Sequence, residues 1–264
     1  MPNRTLDLLD NKLASGEARL TTRDVQEELG LSPQAASNLL ARWRNAGLVD
    51  RVANGHYAIR QLGLLGTRAA SEDISLAVGA FFGDEPHRIA YRSALDHHGL
   101  LTHPARTIQV ACPREVTVRQ LSGRPLRTVM EPRETISIGS EDSGHHARVS
   151  DVERALLDAA SRLDLIGGAG ILAEALAAAD ADPAVMQSLA GELRAAAGLR
   201  RIGSLADHLP VPRLAGHLEP LMPPASDISL NPRLEENRER SFRDGRWRVR
   251  WPEQPSRLAE QLRQ

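Results

Sequence analysis

Apolar residues recur at helical spacing along the N-terminal stretch. Leu6, Leu9 and Leu13 fall on one face of a helix that Gly16 stops. The run Leu20-Thr21-Thr22-Arg23-Asp24-Val25 reads as a second helix start. Thr21 serves as the cap, Asp24 sits three residues on, and Leu20 with Val25 fits a hydrophobic staple. This helix is expected to reach Leu29, with Gly30 in the turn. Ser32 caps a third helix, Pro33 opens it, and Gly47 stops it after Ala46. On that helix Ala36, Leu39, Leu40 and Trp43 share an apolar side, whereas Gln34, Ser37, Asn38 and Arg42 fall on another. Leu48–Val52 and Tyr57–Arg60 read as strands joined at Asn54-Gly55, a strong hairpin signal. Three helices followed by a hairpin give the winged helix-turn-helix order.

The pattern then changes. The segment RQLGLLGTRAASED after Ile59 reads as a linker, followed by a helix from about Ser71 to Phe82 and another from about Arg88 to His98. Short β-branched or alternating runs come next, at Thr107–Ala111, Val116–Arg119, Leu126–Met130, Thr135–Ile138 and Ala147–Val149. The stretches SGRP, EPRE and GSEDSGHH punctuate them. Ser150 to Glu153 has the form of a capping box and opens an amphipathic helix. Helices are expected at Gly167–Ala179, Pro183–Ala197 and Leu199–Leu209, and irregular chain at Pro210–Pro224. The expected fold is α+β. A winged helix-turn-helix spans residues 1–66 and a larger α/β domain spans 67–264. Within the latter, helices and a small, mostly antiparallel sheet occupy 67–150, a helical portion 151–222, and irregular chain with an Arg/Trp strand 223–264.

Composition narrows the class without naming a function. The chain of 264 residues is 41% hydrophobic and 25% charged, ordinary values for a globular protein. No run approaches the ~20 apolar residues that span a bilayer, so no membrane partner is expected and the location expected is cytoplasmic. The lone Cys112 excludes a disulfide framework and a cysteine-based zinc site. Net charge is −1, and residues 1–66 hold 8 Arg or Lys against 7 Asp or Glu. Any nucleic-acid binding therefore depends on local arrangement rather than on a global field. Only Lys12 is a lysine, which leaves lysine-dependent chemistry almost no place.

The winged order assigns roles to particular side chains. Gln34 and Asn38 have the amide geometry that pairs with adenine in the major groove, and Ser37 suits a base or a phosphate. Arg42 and Arg44 suit phosphate or guanine. Thr22 at the start of the second helix, with Arg51, Asn54 and His56 on the wing, is placed for the backbone. Double-stranded DNA is the expected partner. A winged domain that binds only protein would present similar side chains. At the other end, Arg246-Trp247-Arg248-Val249-Arg250-Trp251 reads either as an edge strand with Trp247 and Trp251 inward or as a second basic strip of Arg246, Arg248 and Arg250.

Two further segments, YRSALDHHGLLTHP (Tyr91–Pro104) and SDVERALLDAA (Ser150–Ala160), lie behind the winged domain and are separated by the short strands. This layout resembles the AbiEi family of abortive-infection antitoxins over roughly residues 5–210. The resemblance implies a two-gene toxin–antitoxin system with a nucleotidyltransferase-like toxin encoded by the adjacent gene. The antitoxin represses its own operon by binding repeats through the winged domain, and its C-terminal region counteracts the toxin without a stable complex. The winged-domain role maps onto Gln34, Ser37, Asn38, Arg42 and the 51–56 wing. No catalytic motif is carried over.

A search for catalytic chemistry points the same way. The histidine clusters His97-His98 with His103, and His145-His146, lack the i, i+4 spacing of helical metal ligands. No GxxxxGKS or GxxxxGKT phosphate loop and no GxSxG elbow occurs. No enzyme activity, metal or cofactor is expected. Two alternatives to the autorepressor–antitoxin reading remain in view, a ligand-responsive winged-helix transcription regulator and a nucleic-acid-processing enzyme.

Overall fold

In a computed structural model the described residues are 4–60, 73–211, 214–223, 225–230 and 241–262. Most of the expected linker, residues 61–72, lies outside them, as does the start of the helix expected from Ser71. The chain divides into two compact units, one of Met1–Ile89, Arg106–Ile136 and Glu141–Val149, the other of Ala90–Ala105, Ser137–Ser140 and Ser150–Gln264. Among the described residues no helix is long and apolar enough to cross a membrane.

The first unit begins with α1 (Arg4–Ala14), β1 (Arg19–Thr21), α2 (Thr22–Leu29), α3 (Pro33–Asn45), β2 (Val49–Ala53) and β3 (His56–Ile59). Local chemistry sets the helix ends. The Thr21 hydroxyl accepts from the Asp24 N–H at 3.1 Å, and the Asp24 carboxylate accepts from the Thr21 N–H at 2.8 Å, closing the capping box. Gly30, at φ +65°, ends α2 in the left-handed region. The Ser32 hydroxyl accepts from the Ala35 N–H at 3.3 Å, and Pro33 opens α3. Leu8, Leu9, Leu20, Val25, Ala36, Leu39, Leu40, Trp43, Val49 and Ile59 form one core. The apolar side of α3 thus packs inward as its spacing implies, leaving the opposite side outward.

The strand β1 was not expected. It pairs antiparallel with β3 in the register Arg19↔Ala58, Leu20↔Tyr57, Thr21↔His56, giving the sheet order β1-β3-β2. Three residues are too few to show alternation, and the partner lies almost forty positions away in the register just given.

The remainder of this unit is built on α4 (Ile74–Phe82), whose residues Ser75 to Phe82 are all buried. Asp73 caps it, accepting from the Ser75 N–H at 2.8 Å. Next come β4 (Arg88–Ile89), then α5 (Tyr91–His97) of the second unit, β5 (Ile108–Cys112), β6 (Gln120–Leu121), β7 (Arg124–Met130), α6 (Arg133–Ile136), β8 (Ser140–Gly144) and β9 (Ala147–Ser150). The sheet runs β6-β7-β5-β4-β9-β8. β4 pairs antiparallel with β5, and β6 with β7, while β5–β7 and β4–β9 are parallel.

Several local expectations are corrected here. The helix expected over 88–98 is interrupted: Arg88–Ile89 is a strand, Ala90 is extended, and α5 starts only at Tyr91, at φ +53°. Pairing of Ile89 with Val110 and Val149 overrides local helix preference. The strand expected at Val116–Arg119 forms instead at Gln120–Leu121, Thr135–Ile138 overlaps the short helix α6, and polar Ser140–Gly144 is a strand rather than loop. The turn joining β8 to β9 holds Gly144, His145 and His146 at φ +85°, +56° and +62°. It lies directly on α4, since a Cβ on Gly79 would stand 1.8 Å from the His145 carbonyl oxygen.

The second unit centres on α7 (Val152–Ser161), against which α5, α8 (Leu163–Ile166), α9 (Ala169–Ala178), α10 (Pro183–Glu192) and α11 (Ala196–His208) pack. The cap of α7 is Asp151, which accepts from the Arg154 N–H at 2.8 Å. The expected box from Ser150 to Glu153 does not form, because Ser150 ends β9 and the Glu153 carboxylate accepts from the Asp182 N–H at 2.8 Å. A small sheet of β10 (Ile228–Ser229), β12 (Val249–Trp251) and β11 (Phe242–Asp244), in the order β10-β12-β11, is followed by α12 (Pro255–Gln261).

Candidate nucleic-acid interface

The outward side of α3 gathers the expected base-reading residues. Gln34, Ser37, Asn38, Arg42 and Arg44 are all exposed. The Gln34 Nε2 donates to the Asn38 Oδ1 at 3.2 Å. This i, i+4 bond orients both amides while the Asn38 NH2 and the Gln34 carbonyl keep their capacity for another partner. Among the described residues neither Arg42 nor Arg44 has an ion-pair partner. Asn45, one turn past Arg42, is also exposed. It belongs to the same face by i+3 spacing, a signal that was present in the sequence.

The wing adds Arg51 and Asn54, both exposed, with the Arg51 guanidinium donating to the Asn54 Oδ1 at 3.1 Å. Thr22 joins the start of α2 to the wing tip, its N–H donating to the Gly55 carbonyl at 3.0 Å. His56 stands apart. Its ring lies 4.9 Å from that of Phe81 in α4, and burial lowers its pKa below the ordinary imidazole value. A neutral, half-buried ring is poorly suited to hold a phosphate.

The arginines of the C-terminal strand behave differently. Trp247 and Trp251 are fully buried, as the inward reading expects, but the strand is the central one of its sheet rather than an edge, it covers only Val249–Trp251, and Trp247 lies in the preceding turn. Arg246 pairs with Asp207 at 2.9 Å and Glu219 at 3.0 Å. Arg248 reaches Asp227 at 2.9 Å, and Arg243 holds the same carboxylate at 2.8 Å. The two guanidiniums hold the Asp227 carboxyl well below the usual carboxylate range. Arg250 is exposed on β12.

No other described region collects chemistry in this way. Among the described residues no three His, Cys, Asp or Glu side chains converge as a metal site would require. Cys112 is buried on β5, and burial pushes its thiol pKa up, away from nucleophilic character. His98 Nε2 lies 2.6 Å from the Ser150 carbonyl oxygen. A cavity of about 90 Å³ beside the wing, lined by Asp50, Arg51, Leu76, Ala77 and Ser122 among others, is small against the roughly 300–1,000 Å³ of metabolite pockets.

Comparison with known proteins matches this geometry at its N-terminal end. Residues 1–56 match the MarR family model. That stretch runs from α1 to the first residue of β3, so the N-terminal segment is a winged helix domain of MarR type. No curated relative matches the chain in sequence. In structure the chain is similar to the RV2827C protein from Mycobacterium tuberculosis, with a TM-score of 0.65 and 16% identity, covering 100% of this chain and 96% of that one. At that identity the likeness shows a shared fold.

Proposed function

We propose that this protein is a DNA-binding transcription regulator that represses its own operon and acts as antitoxin to the product of an adjacent gene. The observation that carries the first half is the α3 surface, where two pre-oriented amides, a serine and two arginines face outward on a doubly capped helix-turn-helix. In the major groove each well-formed amide–adenine pair contributes about 1–3 kcal/mol of discrimination. Arg51, Asn54 and the Thr22 end of α2 hold the phosphates that set the register.

The antitoxin half rests on the resemblance of Tyr91–Pro104 and Ser150–Ala160 to the AbiEi family. In support, the helices of these segments, α5 and α7, pack on each other and supply buried Tyr91, Ala94, Leu95, Leu156 and Leu157 to the second unit. The shared residues are thus core-formers, and the reading assigns no catalytic role to the chain. The MarR match covers only the winged segment and fits equally a regulator whose second unit answers to a small ligand.

A growth rescue combined with a promoter reporter tests the reading. Because residues 106–136 share a compact unit with the winged segment, the DNA face is disabled by substitution rather than truncation. The adjacent gene is expressed alone, with the full chain, and with the full chain carrying Asn38→Ala and Arg42→Gln. The expected result is arrest by the neighbour, rescue by both forms, and repression only by the unaltered form. A harmless neighbour removes the antitoxin half and leaves the ligand-responsive regulator. Equal repression by both forms removes the α3 assignment.

A further inference from the structure

We infer that the β6–β7 hairpin is a second wing, gripping the phosphate backbone of duplex DNA beside the first; this rests on the DNA-binding reading above and extends it. Three observations meet at this hairpin. The first is attachment. The Ser122 N–H at its tip donates to the Val52 carbonyl of β2 at 2.9 Å. That bond fixes the tip on the outer edge of the winged sheet, two residues from Asn54, and both elements lie in the first compact unit.

The second observation is charge. Residues 116–130, VTVRQLSGRPLRTVM, carry Arg119, Arg124 and Arg127 and no carboxylate. Arg119 and Arg127 are exposed and Arg124 is half-exposed. The next acid along, Glu131, turns inward to hold the fully buried Arg88 at 3.0 Å, so its charge is matched elsewhere. On this protein of net charge −1 such an acid-free run is the local arrangement that phosphate binding requires.

The third observation is the turn itself. Ser122 and Gly123 sit at φ +49° and +79°, a tight two-residue turn with both residues exposed. With the Ser122 N–H held by Val52, such a tip still brings the Ser122 hydroxyl close to a flat partner, and Thr117, also exposed, adds a further hydroxyl at the base of the hairpin. Contacts of this kind carry no sequence information. They lengthen the footprint along the duplex and raise affinity for every sequence.

Fluorescence anisotropy on the full chain separates this inference from the reading beneath it. The probes are a duplex from upstream of the protein's own gene and a random duplex of equal length, each titrated over a range of salt. Arg119→Gln, and the triple Arg119→Gln, Arg124→Gln, Arg127→Gln, are compared with Asn38→Ala. Thermal unfolding of each variant is recorded, and the exposed single Arg119 variant keeps the test valid if the triple is unstable. The expected result is a uniform loss on both duplexes, several-fold for the single and on the order of tenfold or more for the triple. The plot of log affinity against log salt becomes shallower by about 1 for each arginine on a phosphate. Folded arginine variants that keep wild-type affinity and salt slope, while Asn38→Ala loses specific binding, overturn the second wing and leave the α3 reading intact. An unaltered protein that binds neither duplex overturns both.

Discussion

The α3 surface and the C-terminal Arg/Trp segment start from similar material and reach opposite ends. Both place arginines beside a tryptophan, and both looked in sequence like candidates for nucleic acid. In α3, Trp43 is buried while Arg42 and Arg44 point outward with no ion-pair partner among the described residues. In the C-terminal segment, Arg246 lies 5.2 Å over the Trp247 ring, pairs with Asp207 and Glu219, and donates to the Leu218 carbonyl at 2.7 Å. Arg248 shares Asp227 with Arg243. The lesson concerns remaining capacity rather than composition. An arginine whose donors already meet carboxylates and carbonyls is a structural tie, and one that keeps its donors in water can exchange them for phosphate.

The largest expected break of this comparison is Trp247→Ala. The indole is fully buried, its Nε1 donates to Asp207 at 2.7 Å, and it packs so closely on α11 that a Cβ on Gly203 would lie 2.1 Å from the ring. Removing it leaves a cavity and takes one donor from Asp207, which Arg246 still holds, costing about 3–5 kcal/mol. Chemical denaturation followed by circular dichroism measures this. Where the variant is still folded, its DNA affinity should equal that of the unaltered protein. A parallel loss of DNA binding would tie the C-terminal segment to the interface.

Asn38→Ala probes the other side. Asn38 is exposed and its side chain accepts a hydrogen bond from Gln34 on the same helix, so stability should barely change. Affinity for the cognate site should fall by about 1–3 kcal/mol while random DNA is bound as before. Competition binding with the two duplexes measures the difference. Equal loss on both would make Asn38 a backbone contact and shift the base-reading role to Gln34 or Ser37.

His56 belongs to the wing by sequence but packs on Phe81 in the structure. Burial lowers the pKa of His56 and of His87, which stacks on Phe82, below the ordinary value of 6.5. The unfolded chain therefore takes up protons first as pH falls below 6.5, and stability drops with pH in that window. Thermal unfolding between about pH 7 and pH 5 should show the decline, and His56→Gln should make it shallower. A pH profile unchanged by that substitution would return His56 to the solvent-facing wing.

What could be read without coordinates follows the range of the interactions. The capping box at Thr21 and Asp24, the Ser32-Pro33 start and the apolar side of α3 depend on residues within four positions of one another, and they formed as expected. The outward face followed from them, with Asn45 overlooked. The two-residue strand at Arg88–Ile89 and the three-residue β1 depend on partners far along the chain, and local preference could not signal them. The same holds for electrostatics. Asp227 and Asp207 lie about twenty and forty residues from the arginines they hold, so no local pattern revealed that the basic strip was matched.

The smallest effects sharpen the comparison most. Arg246→Gln and Arg248→Gln each remove partly exposed ion pairs, whose contribution is about 0–1 kcal/mol, so stability should shift little. Because their donors are engaged within the protein, neither substitution should change DNA affinity or its salt dependence. Arg42→Gln should show the converse, with unfolding unchanged and the salt slope shallower by about 1. Measured side by side, the three variants set stability against phosphate contact for one residue type in two surroundings. If the Arg246 or Arg248 variant flattens the salt slope as Arg42→Gln does, the carboxylates of the C-terminal segment give way to DNA, and ion pairing then marks a competitor for phosphate rather than a structural tie.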